Sequence, residues 1–219
     1  MRGPFSVAAL LATIVGTAVQ AKAQMTAERP ADSSYRESVR RLQRGDSTVD
    51  LLALRMDYAH SSFYAPISPE RLRLRSRLHG ALGAQNTQAA TAAAESLLAL
   101  NYADIEGHVA LVGLALQARD SARARFYTWV ARGLFQSFDA PHRGSSDSAA
   151  ILVVTPDEEV AFGDAMQLER TGRYNTHSCG SRACDAVVFR NARTGADTTI
   201  TFDITLIFEH TVRPPRRAP

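Results

Sequence analysis

The densest apolar stretch of the chain, from Asp104 to Phe138, constrains its fold more than any other feature. Apolar residues recur at helical spacing on both sides of a polar triplet, Arg119-Asp120-Ser121, in which aspartate and serine favour helix N-caps. The pattern predicts two antiparallel helices joined by a tight turn. We expect the first helix to be buried nearly all round. Its main apolar face comprises Ile105, Val109, Val112 and Leu116.

The segment before this hairpin has the same helical character. Helices are predicted at Tyr35–Leu42, at Val49–Ala59 with a cap at Asp46 or Ser47, after Ser68-Pro69, and at Thr87–Leu100. A weak sequence echo recurs after 36 positions, close to the ~34-residue tetratricopeptide period. Residues 35–138 are therefore predicted to form helical hairpins with repeat-like packing, which often presents a concave binding face. Four alternating arginines spread around the third helix and predict a solvated surface: Arg71, Arg73, Arg75 and Arg77.

After Phe138 the pattern changes from helical spacing to short strands. The predicted order in residues 149–210 is β-α-β-β-β, a small and mostly antiparallel sheet with one helix. The strands are expected at Ala150–Val154, Tyr174–Ser178, Asp185–Arg190 and Thr198–Phe208, with a helix from Thr155-Pro156 to about Gly172. Together with the helical hairpins this gives an α+β fold, a single domain over residues 35–211. Residues 212–219 are rich in proline and arginine and are expected to be disordered.

The N-terminus has the three parts of a secretory signal peptide. Arg2 supplies the positive charge, an apolar run follows, and Ala21-Lys22-Ala23 matches an A-x-A cleavage site. We predict that residues 1–23 are removed after Ala23 and that residues 24–34 form a flexible lead-in. The alternative is an uncleaved membrane anchor, for which the apolar run is short. The protein is therefore expected to be exported, to the periplasm or beyond, with no membrane span.

Charge argues against several classes of partner and chemistry. Removing Arg2 and Lys22 from the 25 basic residues leaves 23 against 22 acidic ones, a net charge of +1. We therefore expect no nucleic-acid partner. Lys22 is the only lysine, so the mature chain has none for a Schiff base, a phosphate-binding loop or a Ser-Lys dyad.

The only two cysteines, Cys179 and Cys184, are predicted to form a disulfide, which is the default in an exported protein. Two alternatives stay open at the level of sequence. The loop between the cysteines can act as a redox site, although the spacing is not Cys-x-x-Cys. The cysteines can also bind a metal with His177, with His142 or Asp147 as a fourth ligand, although zinc sites usually have closer cysteines.

Residue patterns do not assign a catalytic residue or a cofactor. No His-Glu-x-x-His motif occurs, His108 lies within the apolar hairpin as a core residue, and Asp157 lies in the first turn of a helix. The favoured hypothesis is a non-enzymatic exported module that binds a protein or a small ligand. The alternative is a hydrolase-like enzyme with its site at the junction of helices and sheet. The candidate residues there are His142, Asp147, Asp157, His177 and, for binding, Trp129.

The chain resembles an uncharacterised bacterial exported family, catalogued as domain of unknown function 4919. The matching segments are Leu54–Ala59 with Phe63–Pro66, Asp157–Val160, and the last strand with Thr201–Ile204. The resemblance spans about Tyr35 to Phe208 and implies no activity and no catalytic residues. The chain departs from the family pattern in two places. Val160 stands where an aromatic residue is usual, and residues 143–146 replace a glycine-acid-glycine turn.

Overall fold

A computed structural model describes residues 29–138 and 144–212 and shows the predicted α+β architecture. In this part of the chain the helices come first: α1 Pro30–Gln43, α2 Leu51–His60, α3 Pro69–Gly83, α4 Thr87–Leu100, α5 Ile105–Gln117 and α6 Ser121–Gln136. The sheet part follows: β1 Ile151–Leu152, α7 Pro156–Ala165, β2 Leu168–Cys179, β3 Arg182–Asn191, β4 Asp197–Asp203 and α8 Thr205–Val212. Signal peptide, His142 and residues 213–219 lie outside the described residues.

Local sequence signals set most helix starts. The N-cap side chains that accept a backbone N–H are Asp50, Ser68, Asn86, Asp104 and Asp120, and each cap of this kind stabilises its helix by about 1 kcal/mol. The cap of α2 is therefore Asp50, and the prediction of Asp46 or Ser47 was wrong. Asp46 instead accepts from the N–H of Thr48 at 2.8 Å within the preceding turn. Residues 30–34, expected to be flexible, already belong to α1.

The turns between α3 and α4 and between α5 and α6 share one geometry. Gln85 and Arg119 both have positive φ, at 55° and 57°, a conformation typical of the residue after a helix C-cap. The next N–H, of Asn86 or Asp120, donates back to the carbonyl five residues earlier at 2.8 Å. The same side chain then caps the following helix. These equivalent turns lie 34 positions apart, which supports the repeat-like packing predicted from the sequence.

The α5 helix is buried on one side only. Val109 and Leu116 are 55% and 61% exposed, whereas His108, Leu111 and Leu114 are buried. The prediction of burial all round was wrong because α5 packs against α4 and α6 and leaves its other side in solvent. The helix thus follows the ordinary amphipathic pattern, with a different inward face from the one expected.

The four-stranded sheet has the order β1-β4-β3-β2. The strand β1 runs parallel to β4, and the other pairs are antiparallel, so the prediction of a mostly antiparallel sheet is confirmed. Two boundaries differ from those expected. The helix α7 ends at Ala165, and Leu168 starts a long strand. The predicted strand to Phe208 ends at Asp203, because the Asp203 carboxylate accepts from the N–H (3.0 Å) and hydroxyl (2.6 Å) of Thr205, where α8 begins.

A buried salt bridge between Arg55 of α2 and Glu158 of α7 joins the helical part to the sheet part. Nε and Nη2 of Arg55 each lie 2.9 Å from a carboxylate oxygen of Glu158, and the two side chains are 1% and 5% exposed. The guanidinium also donates to the carbonyls of Ser137, at 3.2 Å, and Leu152. Glu158 accepts from the N–H of Val154 at 2.8 Å. Each charge is thus compensated and hydrogen-bonded, as burial of an ion pair requires.

A second buried cluster overturns the predicted solvated arginine surface. Nη2 of Arg71 lies 2.8 Å from Asp104 and 3.1 Å from Asp157, and the Arg71 side chain is only 4% exposed. Arg75 pairs with Glu106 at 2.9 Å and also with Asp157. Positions 71 and 75 are one helical turn apart, so both arginines face the N-termini of α5 and α7. Only the other two arginines of the series remain exposed.

Aromatic packing completes the junction between the two parts. Phe162 of α7 has ring-centroid distances of 5.9 Å to Phe135 and 6.1 Å to Phe138, at the end of α6. It also lies 5.7 Å from Phe202 of β4, which in turn lies 6.3 Å from Phe189 of β3. One hydrophobic core therefore runs through the helices and the sheet.

Candidate binding groove

The structure brings together two of the residues predicted for a site at the junction. Nε2 of His177 lies 3.0 Å from a carboxylate oxygen of Asp147. Asp157 instead forms salt bridges with Arg71 and Arg75. His142 lies outside the described residues. Trp129 is half-buried, and its ring centre lies 6.3 Å from that of Phe126 on the same helix.

The surroundings of His177 favour a structural ion pair over a general base. Nδ1 faces the carbonyl of Asn175 at 3.1 Å, and Nε2 faces Asp147. Neither acceptor has a proton to give, so the ring satisfies both only as the doubly protonated cation. The hydrogen bond to Asp147 and the one to Asn175 raise the pKa of His177. A general base would need one ring nitrogen free to accept a proton.

The cysteines form the predicted disulfide. Cys179 ends β2 and Cys184 lies in β3, with a Cα–Cα distance of 5.9 Å. Gly180 opens the two-residue turn between the strands with φ +70°, as tight hairpins of this type require. The cysteines are 6% and 0% exposed, and paired thiols are not available as metal ligands. At these exposures neither sulfur is accessible to an external thiol. Among residues 29–138 and 144–212, no group of three histidine, cysteine or acidic residues is placed to hold a metal.

A large groove lies on the helical part, which sequence reasoning did not locate. We call it the α1–α4–α6 groove, since these three helices form its walls and floor. It has a volume of about 1000 Å³ and is open to solvent, at the upper end of the range for ligand sites. Its walls come from segments far apart in sequence, with Arg36 and Arg40 on α1 and Phe126 on α6.

The floor of the groove is apolar and firmly positioned. Tyr35, Leu98 and Tyr102 line it and are 8%, 6% and 8% exposed. The hydroxyl of Tyr35 accepts the N–H of Tyr102 at 2.8 Å, which fixes the α1 wall to the end of α4. Phe126 and Tyr127, whose rings lie 5.4 Å apart, extend the aromatic surface along α6 and are partly buried. Rigid aromatic floors of this kind are typical of binding sites.

His108 supports this floor from below. Its ring lies 5.3 Å from that of Tyr102 and 5.9 Å from that of Tyr127. The side chain is fully buried, and Nε2 donates to the carbonyl of Tyr102 at 2.8 Å. Burial lowers the pKa of His108 to about 4, so the ring is neutral at physiological pH. The prediction of a hydrogen-bonded core histidine is confirmed.

The rim of the groove carries three arginines and one glutamate. Arg36 and Arg40 lie on the α1 wall, and Arg123 lies on the α6 wall. Arg123 contacts Glu95 of α4 and the hydroxyl of Tyr127, each at 3.3 Å. The groove therefore combines an apolar floor with a rim on which positive charges outnumber negative ones.

Comparison with known proteins assigns neither a family nor a function to the chain. No protein-family model matches the chain, and no similar protein was found among the curated proteins or the solved structures. The resemblance noted above therefore stays a prediction. Among the described residues, no helix is both long and apolar enough to cross a membrane.

Proposed function

We propose that the protein is an exported, non-enzymatic binding module and that the α1–α4–α6 groove is its binding surface. The observation that carries the proposal is the combination of a preformed aromatic floor and a volume of about 1000 Å³ on one face of the helical part. Repeat-like helical hairpins commonly bind partners in this way. Export after Ala23 and membership of the resembled family are part of the same proposal.

The contacts of His177 argue against the hydrolase alternative. Its two ring nitrogens are both engaged, and its partner Asp147 is 55% exposed. Catalytic pairs are usually enclosed and aimed at a cleft that holds the substrate. The groove on the helical part contains neither residue, and the smaller cavity of about 500 Å³ that His177 lines does not include Asp147.

A groove-filling variant tests the proposal. Ala99 is exposed within the groove, so A99F fills it without disturbing the core. A matched control is A89F, because Ala89 is exposed on the same helix but does not line the groove. Immobilised mature protein is used to capture partners from the exported fraction, and captured proteins are identified by mass spectrometry.

We expect wild type and A89F to retain the same partner and A99F to lose it. Equal capture by A99F would place binding elsewhere on the molecule, and capture of nothing by wild type would overturn the proposal. Export is tested separately by fractionation and N-terminal sequencing. The expected mature N-terminus is Gln24, and an intact Met1 in the membrane fraction would contradict cleavage.

A further inference from the structure

The charge of the groove differs from that of the chain as a whole. Arg36, Arg40 and Arg123 line it against a single acid, Glu95, an excess of two positive charges. The sequence beyond the predicted signal peptide has only one excess positive charge, 23 basic against 22 acidic residues. Such an excess in one concave surface attracts anionic groups and raises their association rate.

Two of these cations are held by weak, exposed contacts that a ligand can replace. Arg40 pairs with Glu37 at 2.9 Å, with side chains 60% and 50% exposed. Arg123 pairs with Glu95 at 3.3 Å, with side chains 51% and 56% exposed. Surface ion pairs of this kind contribute little to stability. A ligand carboxylate that binds closer and is partly desolvated competes with them.

The arginines come from two different helices that line the groove. Arg40 is on α1 and Arg123 is on α6, and the buried residues Tyr35, Leu98 and Tyr102 line the same groove. A matching ligand therefore has an apolar centre and negative groups on both sides. The groove is open and not an enclosed cavity, so a chain can enter and leave at its ends. A peptide segment fits this description better than a compact small molecule.

We propose that the α1–α4–α6 groove binds a segment of a partner protein in which large apolar side chains are flanked on both sides by aspartate or glutamate. The inference rests on the proposed function and adds the chemistry of the partner. Tyr35, Leu98 and Tyr102 bind the apolar side chains, and Arg40 and Arg123 bind the flanking carboxylates. Arg36 adds positive charge to the α1 wall, with its guanidinium carbon 4.6 Å from the ring centre of Phe63.

Trp129 provides the measurement without a label. It is the only tryptophan of the chain, and its ring lies 6.3 Å from that of Phe126, which lines the groove. Three synthetic peptides of equal length serve as probes. The first has a Leu-Phe centre between aspartate and glutamate residues, the second replaces the acids by lysine, and the third replaces Leu-Phe by Ser-Ser. Affinity is measured from Trp129 fluorescence and by calorimetry.

We expect the acidic Leu-Phe peptide to bind at least about tenfold more tightly than either of the other two, and its affinity to fall as salt rises. In the variants R40Q and R123Q its affinity should fall about three- to tenfold, whereas the lysine peptide should bind no worse. The matched control is R173Q, because Arg173 is an arginine 61% exposed on the sheet. This variant should bind like wild type.

The outcomes separate the two proposals. If no peptide binds and A99F behaves like wild type toward the partners captured from the exported fraction, the proposed function fails. If the acidic and lysine peptides bind equally, the groove stands as a binding surface and the charge inference is overturned. If the Ser-Ser peptide binds as well as the Leu-Phe peptide, the apolar part of the inference is overturned. An R173Q effect equal to that of R123Q would show non-specific attraction and also overturns it.

Discussion

Single buried residues set how the stability of this protein depends on pH, and His108 is the clearest case. Burial among Tyr102, Tyr127 and the α5 helix lowers the pKa of His108 to about 4 from its ordinary value of 6.5. The sequence predicted a core position because the histidine lies within an apolar hairpin. Its partner, the carbonyl of Tyr102, was not predictable, since that contact depends on the turn before α5.

His108 should make the protein less stable in acid. The unfolded chain binds a proton at His108 below pH 6.5, whereas the folded chain does so only near pH 4. Its contribution is therefore complete above pH 6.5 and is lost as pH falls toward 4. The variant H108Q cannot titrate at this position. Its free energy of unfolding minus that of wild type should therefore rise by about 3 kcal/mol as pH falls from 6.5 to 4. Urea unfolding followed by Trp129 fluorescence measures this, and a constant difference from pH 7 to 4 would contradict it.

Glu159 should act in the opposite direction. The side chain is 4% exposed, with Arg170 at 3.3 Å, and burial and the charge of Asp185 raise its pKa from 4.5 to about 7. The folded chain therefore holds this proton where the unfolded chain has lost it. The stability contributed by protonated Glu159 is present below pH 4.5 and is lost as pH rises through 7.

The variant E159Q mimics the protonated state at every pH. Its stability relative to wild type should increase by about 3 kcal/mol between pH 4.5 and 8, measured by the same urea titrations. The control is D164N, an exposed acid on the same helix, which should show no such trend. A relative stability of E159Q that fell with rising pH would mean that the Arg170 pair, and not burial, controls this group.

At the scale of elements, the sequence predicts what local signals determine. The helix Thr87–Leu100 was predicted with its observed bounds, because Asn86 caps its start and alanine favours its interior. The last strand ends before Phe208, where the prediction had placed its end, because a local hydrogen bond starts a helix instead. The side chain of Asp203 bonds the backbone at Thr205 and starts α8, and this signal outweighs the alternation of apolar residues that follows.

The disulfide should stabilise the β2–β3 hairpin without being required for the fold. The two cysteines are five positions apart, and closing so short a loop contributes about 2 kcal/mol in the chain-entropy model. The hairpin is also held by the pairing of β3 with β4. The variant C179S/C184S should therefore stay folded with a free energy of unfolding lower by about 2 kcal/mol. Urea unfolding measures the loss, and hydrogen exchange should increase first in residues 176–186.

If the double variant were unfolded in buffer, the disulfide would be a requirement for folding and this reading would be wrong. Wild type reduced while unfolded in urea, where the bond is accessible, supplies the control, because reduction removes the bond and leaves both side chains in place. It should match the double variant to within about 1 kcal/mol.

For the whole molecule, the features that matter most come from contacts between distant parts of the chain. The alternating arginines seemed exposed because sequence shows spacing and not partners. Arg71 meets Asp104, 33 positions away, and Arg55 meets Glu158, 103 positions away. The groove could not be predicted for the same reason. Nothing in the sequence patterns of α1 and α6 shows that the two helices line one surface. Fold class was predictable, and the site was not.

The buried pair of Arg55 and Glu158 should make the helical and sheet parts unfold as one unit. It binds α2 to α7 and to the backbone at Ser137 and Leu152, and removing one partner of a buried pair costs about 3–5 kcal/mol because the other charge stays buried. In wild type, Trp129 fluorescence and hydrogen exchange at Val187 should report the same free energy of unfolding. In R55M both should fall by that amount. The double variant R55M/E158L leaves no unpaired charge, so it should recover much of the loss. A protein in which R55M lowered only the value at Val187 would have two independently folding parts, because the loss would then not reach α6.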